Sequence, residues 1–305
     1  MPGPVAGVVA GVVAGVVAGV VGGADIVDRP APAAAELTPV AAEWTGPVPG
    51  RTAAERVWVG GIGFDALTEG EVVRWVAAEL AAGRGGRIVT PNVDICRAAA
   101  SDPALRDLVC AADLVVADGM PLVWAARLLG TPVPERVTGA DLIWSLSELA
   151  ARHGWPVYLL GGPPGVALQA ADRLTARHPR LRVCGAHAPP YGFDATPEGI
   201  ESVRAKVVAA RPKLVFAGLG FPRQDRLVAG LRDALPGTWF LGCGAAVGFA
   251  AGTAPRAPEW LRRAGLEWAF RLAGEPRRLA RRYLVDGLPF AGRLLGGALA
   301  VRLGR

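Results

Sequence analysis

From residue 57 to residue 251, short β-branched apolar runs alternate with longer stretches whose apolar positions recur every three or four residues. The runs at 57–59, 87–90, 114–117, 157–160, 181–184, 214–217 and 239–241 read as strands. The stretches at 69–82, 103–111, 120–129, 140–153, 166–177 and 198–210 read as helices, the first opened by a Thr68/Glu71 capping box. Strands that are apolar at consecutive positions are buried on both faces. This predicts an α/β fold in which a parallel, Rossmann-like sheet is flanked by helices on both faces. Ligands of such sheets bind at the carboxyl ends of the strands, so the residues just after each run carry the chemistry.

Those residues are Thr90-Pro91-Asn92-Val93-Asp94, Asp118-Gly119, Gly161-Gly162-Pro163-Pro164-Gly165, Gly218-Leu219-Gly220-Phe221-Pro222-Arg223-Gln224-Asp225 and Gly242-Cys243-Gly244. A glycine at a single βα turn is ordinary turn chemistry. Five such ends converging on one rim point to a ligand crevice, because glycine lets backbone approach a phosphate or sugar closely. Asp118 is the sharpest residue among them. It reads equally well as a general base with a raised pKa and as the cap of the helix that follows. No partner carboxylate for it is evident, which disfavours retaining chemistry. Gly61-x-Gly63-x-x-Ala66 matches a dinucleotide fingerprint, but the capping box starts the next helix several residues later, so a β-turn is the better reading.

Composition adds three constraints. Cys96, Cys110, Cys184 and Cys243 form no C-x-x-C pair, which fits a reducing cytoplasm. Three histidines without ligand spacing, and the lack of a D-x-D pair, predict neither a metal site nor a cofactor. The formal charge of +6 is uneven, because residues 256–305 hold eleven arginines against Glu259, Glu267, Glu275 and Asp286. Three regions follow: a low-complexity Ala/Gly/Val/Pro-rich tail at 1–50, an α/β core at 51–255 and a basic amphipathic appendage at 256–305. The tail's A-G-V-V repeat is nearly long enough to span a bilayer yet lacks flanking basic residues. In the appendage Arg277, Arg278, Arg281 and Arg282 share one helical arc, with Trp260, Trp268, Phe270 and Phe290 interleaved. Such a face suits an anionic membrane surface. A nucleic-acid-binding module is the alternative for a basic tail, but neither a helix-turn-helix nor an aromatic RNA-binding signature accompanies it.

Several motifs in order then form one pattern. They are Thr90-x-Asn92, Ala117-Asp118-Gly119, Glu135-Arg136-Val137-x-Gly139-x-Asp141, Leu159-Leu160-Gly161-Gly162 and Gly218-x-Gly220-x-Pro222-x-Gln224. Arg256-Ala257-Pro258, Gly265-Leu266-Glu267-Trp268, Arg271-Leu272 and Glu275-Pro276-x-Arg278 follow them. Together they make the chain resemble the WecG/TagA/CpsF glycosyltransferases, glycosyltransferase family 26, from about residue 57 to 283. The resemblance implies metal-free, inverting transfer of a sugar, often N-acetylmannosamine or its uronic acid, from a UDP-sugar to a polyprenyl-diphosphate-linked acceptor. Such a step serves cell-surface polysaccharide or teichoic acid synthesis on the cytoplasmic face of the membrane. It also implies Asp118 as base, with Thr90, Arg136 and Gln224 in the catalytic set. Asn92, Gly119, Gly161, Gly162, Gly218, Gly220, Arg256, Arg271, Arg278 and Arg281 are then expected to bind substrate. The family's Pro-Lys-Gln-Glu stands here as Pro222-Arg223-Gln224-Asp225. The alternative structural role of Arg136 is an ion pair with Asp141 or a helix C-terminus. A Rossmann-type oxidoreductase is the competing enzyme reading. Amphipathic helices packed this closely would also permit a homo-oligomer.

Overall fold

The structure, a computed structural model, describes residues 56–304; the repeat-rich tail assigned to residues 1–50 lies outside the described residues. The described chain opens with an antiparallel hairpin of β1 (Val57–Val59) and β2 (Ile62–Phe64). Its turn is Gly60-Gly61, both at positive φ, while Gly63 pairs with Trp58 inside the ladder. The Gly61-x-Gly63 match therefore offers no helix N-terminus to a pyrophosphate, as the turn reading expected. The second strand was not foreseen, because Gly63 interrupts its apolar run Ile62-Gly63-Phe64.

Six parallel strands form the main sheet: β3 (Gly86–Val89), β4 (Leu114–Val115), β5 (Pro156–Gly161), β6 (Arg182–His187), β7 (Leu214–Gly218) and β8 (Trp239–Gly242). They lie in the order β4-β3-β8-β7-β5-β6. Successive strand residues alternate between two buried layers. Ile88, Leu159, Phe216 and Leu241 face a core shared with α1 (Glu69–Ala81), α5 (Gly139–His153), α6 (Val166–Arg177) and α9 (Ala246–Ala251). Leu160, Val215 and Phe240 face α7 (Pro197–Ala210) and α8 (Arg223–Leu231). Val89 and Val115 pack with the hairpin, α2 (Val93–Ser101), α3 (Pro103–Cys110) and α4 (Met120–Leu128). Each large side chain so buried contributes about 1.5–3 kcal/mol, and burial on both faces is why the strands read as continuous apolar runs.

Local chemistry sets the helix starts. Thr68 Oγ1 accepts the Glu71 N–H at 3.2 Å while Glu71 Oε2 accepts the Thr68 N–H at 2.7 Å, a complete capping box for α1. The helix α2 was not expected from periodicity; Asn92 starts it, its Oδ1 accepting from the Asp94 and Ile95 N–H groups at 3.1 Å each.

After α9 the chain runs through α10 (Glu259–Arg263), α11 (Glu267–Gly274), α12 (Pro276–Ala280), a π-helical segment Arg281–Gly287, and α13 (Leu288–Leu303). The breaks fall at Gly265 and at Glu275-Pro276, as the sequence suggested. Leu279, Ala291 and Ala298 are buried, so this last run lies on the core through one stripe.

Candidate active site

The carboxyl ends of β3, β4, β7 and β8, with Gly162 after β5, open into a crevice of about 1260 Å³. The C-terminal segment forms its far wall through Glu267, Trp268, Arg271, Arg278, Arg282 and Leu288. Its size exceeds the few hundred to about 1,000 Å³ typical of single small-molecule sites.

Asp118 is carried here because β4 is short. The chain beyond Val115 continues alongside β3 by other bonds: Val116 N donates to Val89 O at 3.1 Å and Asp118 N to Pro91 O at 2.9 Å. On the other side Val137 N donates to Ala117 O at 3.0 Å, which brings Arg136 beside Asp118. Gly119, not Asp118, is the residue before α4, and no side chain caps that helix. The capping alternative for Asp118 thus falls away. Its carboxylate lies 3.8 Å from Arg136 Nη1. Burial raises its pKa to about 7, with Glu267 and Asp141 adding to the rise and Arg136 and Arg271 opposing it.

Arg136 does not pair with Asp141. Its Nη1 donates to Glu267 Oε2 at 3.0 Å, a contact between the core and α11. Asp141 is held instead by Arg256 at 2.7 Å and Arg262 at 3.4 Å. Burial opposes its ionisation, but hydrogen bonds from Arg256 and Thr138 outweigh that and keep its pKa below the usual carboxylate range. Glu267 also corrects the expectation that Asp118 has no carboxylate near it. A second one shares its guanidinium, supplied from 131 residues beyond Arg136 in the chain.

Gln224 is 3% exposed at the start of α8, and its Oε1 accepts from the N–H groups of Gly220 and Gly244, 3.1 Å each. One side-chain carbonyl thereby ties the β7 and β8 loops together. Behind it Asp225 and Arg87 are buried, and burial raises the Asp225 pKa to about 6 against the pull of Arg87. Arg223, beside them in sequence, turns away to Asp194 at 2.8 Å.

Thr90, Asn92, Gly119, Gly162, Gly218, Gly220, Arg271 and Arg278 all line the crevice with Asp118, Arg136 and Gln224. Three expected binding residues do not. Gly161 sits in β5 at φ +111, where a Cβ would meet Gly218 O at 2.5 Å, so it serves close strand packing. Arg256 is spent on Asp141 and the Ala140 carbonyl. Arg281 is exposed, and Arg282 takes the inward place through an ion pair with Asp94 of α2. Arg281 stays on the exposed side with Arg277, and the π-helical segment begins there. Of the aromatics assigned to a membrane face, Trp260 is 67% exposed. Trp268 lines the crevice edge-on to Tyr283, and Phe290 packs on the core.

Cys243 also lines the crevice, but burial pushes its thiol up to about 12, which leaves it inert as a nucleophile. Among the described residues no group of three or more His, Cys, Asp or Glu side chains is placed to hold a metal ion.

The chain matches the family described as Glycosyl transferase WecG/TagA/CpsF over residues 57–303. It belongs to that family. The match spans the sheet, the crevice and the C-terminal helices, so the glycosyltransferase carries both walls of the site within the family region. Sequence reasoning gave no role in the crevice to Glu267, Arg282 or Asp94, although Asp94 stood in the strand-end run 90–94. The Gly265-Leu266-Glu267-Trp268 motif was the available signal for the first; the other two depend on how α2 meets the last helices.

Proposed function

We propose that this WecG/TagA/CpsF glycosyltransferase moves a hexose, such as N-acetylmannosamine or its uronic acid, from a UDP-sugar to a polyprenyl-diphosphate-linked sugar, inverting the anomeric centre. The observation that carries this reading is Asp118, a carboxylate with a pKa near neutrality, set 3.8 Å from a guanidinium on the floor of a large crevice. The acceptor hydroxyl oxygen attacks the anomeric carbon, Asp118 takes its proton, and the bond to the diphosphate oxygen breaks. Arg136, Arg271 and Arg278 face the charge that develops on the departing UDP, a role a divalent ion plays in other enzymes.

The sheet order gives the crevice two ends. Towards the β8, β7 and β5 side lie Gly162, Gly218, Gly220 and Gly244, where backbone can approach a donor closely. At the α2 end Ile95, Ala98, Leu105 and Leu288 mix with Arg97 and Arg282, a combination suited to the diphosphate and first isoprene units of an acceptor. The run Pro276–Leu303 is long and apolar enough to cross a membrane, with Leu284, Val285 and Leu303 exposed. Its buried stripe on the core favours a helix lying on the inner leaflet as a peripheral anchor.

A panel of UDP-sugars with a synthetic lipid-diphosphate acceptor tests the reading, with and without EDTA. UDP release that needs the acceptor, survives chelation and disappears in Asp118→Asn is expected. Turnover retained in Asp118→Asn would remove the base assignment. Sedimentation with anionic vesicles, set against a DNA mobility shift, tests the membrane placement.

A further inference from the structure

Glu267 opens α11, with its side chain 15% exposed, and its shortest contact is the 3.0 Å bond from Arg136. Its other oxygen lies 3.8 Å from Arg256 Nε. Arg136 reaches Asp118 only at 3.8 Å, beyond hydrogen-bond range. The guanidinium is therefore bonded to Glu267 while the base stays outside its direct reach. Around this contact the core contributes Asp118, Arg136 and Asp141, a net charge of −1. The C-terminal segment contributes Arg256, Arg262 and Glu267, a net +1.

We propose that Glu267 is a positioning residue that keeps the Arg136 guanidinium 3.8 Å from Asp118, leaving the base without a hydrogen bond from it and the guanidinium available to the departing diphosphate only while the C-terminal segment is docked. This rests on the reading of Asp118 as the base. The charged groups that bear on Asp118 are Arg136 beside it, Asp141 on α5, Glu267 and Arg271 on α11, and Arg256 at the segment's start. Without the Glu267 charge, Arg136 has one carboxylate left within 4 Å, which is Asp118. Closure of that gap adds a hydrogen bond to the existing ion pair, and the Glu267 charge that raises the Asp118 pKa is gone. Both changes favour the carboxylate and make it a weaker base. The same closure turns the guanidinium away from the donor.

The test measures kcat against pH for the full chain with lipid-diphosphate acceptor, for wild type and for Glu267→Gln, Glu267→Asp, Arg262→Gln and Asp118→Asn. In Glu267→Gln the acid limb moves down by about one pH unit or more. Its plateau kcat falls on the order of tenfold, in line with a weakened base. Glu267→Asp restores the limb towards wild type. Arg262→Gln, which loosens the segment without touching Asp118 or Arg136, increases tryptic cleavage after the arginines between 263 and 282 and moves the limb the same way but less, because undocking withdraws Glu267 in only part of the molecules. A Glu267→Gln limb that coincides with wild type, alongside an inactive Asp118→Asn, would overturn this inference alone. So would a Glu267→Gln protein whose limb shift comes with tryptic cleavage as fast as in Arg262→Gln, since loosening would then explain the effect. Turnover in Asp118→Asn would overturn the base assignment and this inference with it.

Discussion

Replacing Asp118 by Asn should make the protein more stable at alkaline pH while abolishing transfer. Folding raises the Asp118 pKa from 3.8 to about 7, so the folded chain holds this proton more tightly than the unfolded chain. The contribution is favourable at low pH, where both states are protonated, and is lost as pH rises from 3.8 through the folded value near 7. Roughly three pKa units at 1.36 kcal/mol each set a ceiling of about 4 kcal/mol at pH 8. The side chain is 27% exposed, so solvent screens part of this, and about 2 kcal/mol is the working expectation. Asn keeps the shape, and Arg136 keeps Glu267 as its partner, so no buried charge is orphaned. For a domain of this size 2 kcal/mol corresponds to a Tm increase of roughly 4–8 °C. Thermal unfolding of wild type and variant at pH 4, 6 and 8 should show a gain at pH 8 that shrinks towards zero at pH 4. Turnover at pH 8 should fall by at least about 100-fold, the contribution expected of a general base. A variant that is no more stable at pH 8, or stabilised equally at pH 4, would refute desolvation as the cause of the raised pKa.

Other consequences follow from the same geometry. The wild-type kcat profile should lose activity below about pH 7 as Asp118 takes up its proton, and a titration of rate against pH checks this directly. Gln224→Leu leaves the Gly220 and Gly244 N–H groups without their shared acceptor, so urea unfolding should show a loss of about 2 kcal/mol, with a raised KM for the donor. Gly161→Ala would place a Cβ 2.5 Å from the Gly218 carbonyl at φ +111, and a loss of about 2 kcal/mol or more is expected by the same assay. Arg136→Ala should raise the donor KM and lower kcat together, measured by UDP release, because the loss falls on the leaving diphosphate.

The strand runs were legible because most of their consecutive positions are apolar, and that follows directly from burial on both faces. The order of the sheet was not legible, since parallel strands are joined by crossovers that leave no trace of which strand becomes a neighbour. Asp118 stood out by its place after a strand, yet the sequence left base and cap level. What separated them was the short β4, which hands Asp118 N to the Pro91 carbonyl and leaves Gly119 before the helix. Gln224 was visible as a motif residue, but its service to two glycine loops is a contact between β7 and β8 that periodicity cannot encode. Arg277, Arg278 and Arg281 are exposed with Leu279 buried, as the arc implies, but which arginine reaches the crevice depends on how α2 meets the last helices. Glu267 shows the division most plainly. The local text gives a helix-opening glutamate, a common residue in a first turn where the helix dipole favours negative charge. Only packing of the C-terminal segment across the crevice sets that charge on Arg136, and electrostatic coupling depends on distance in space rather than along the chain.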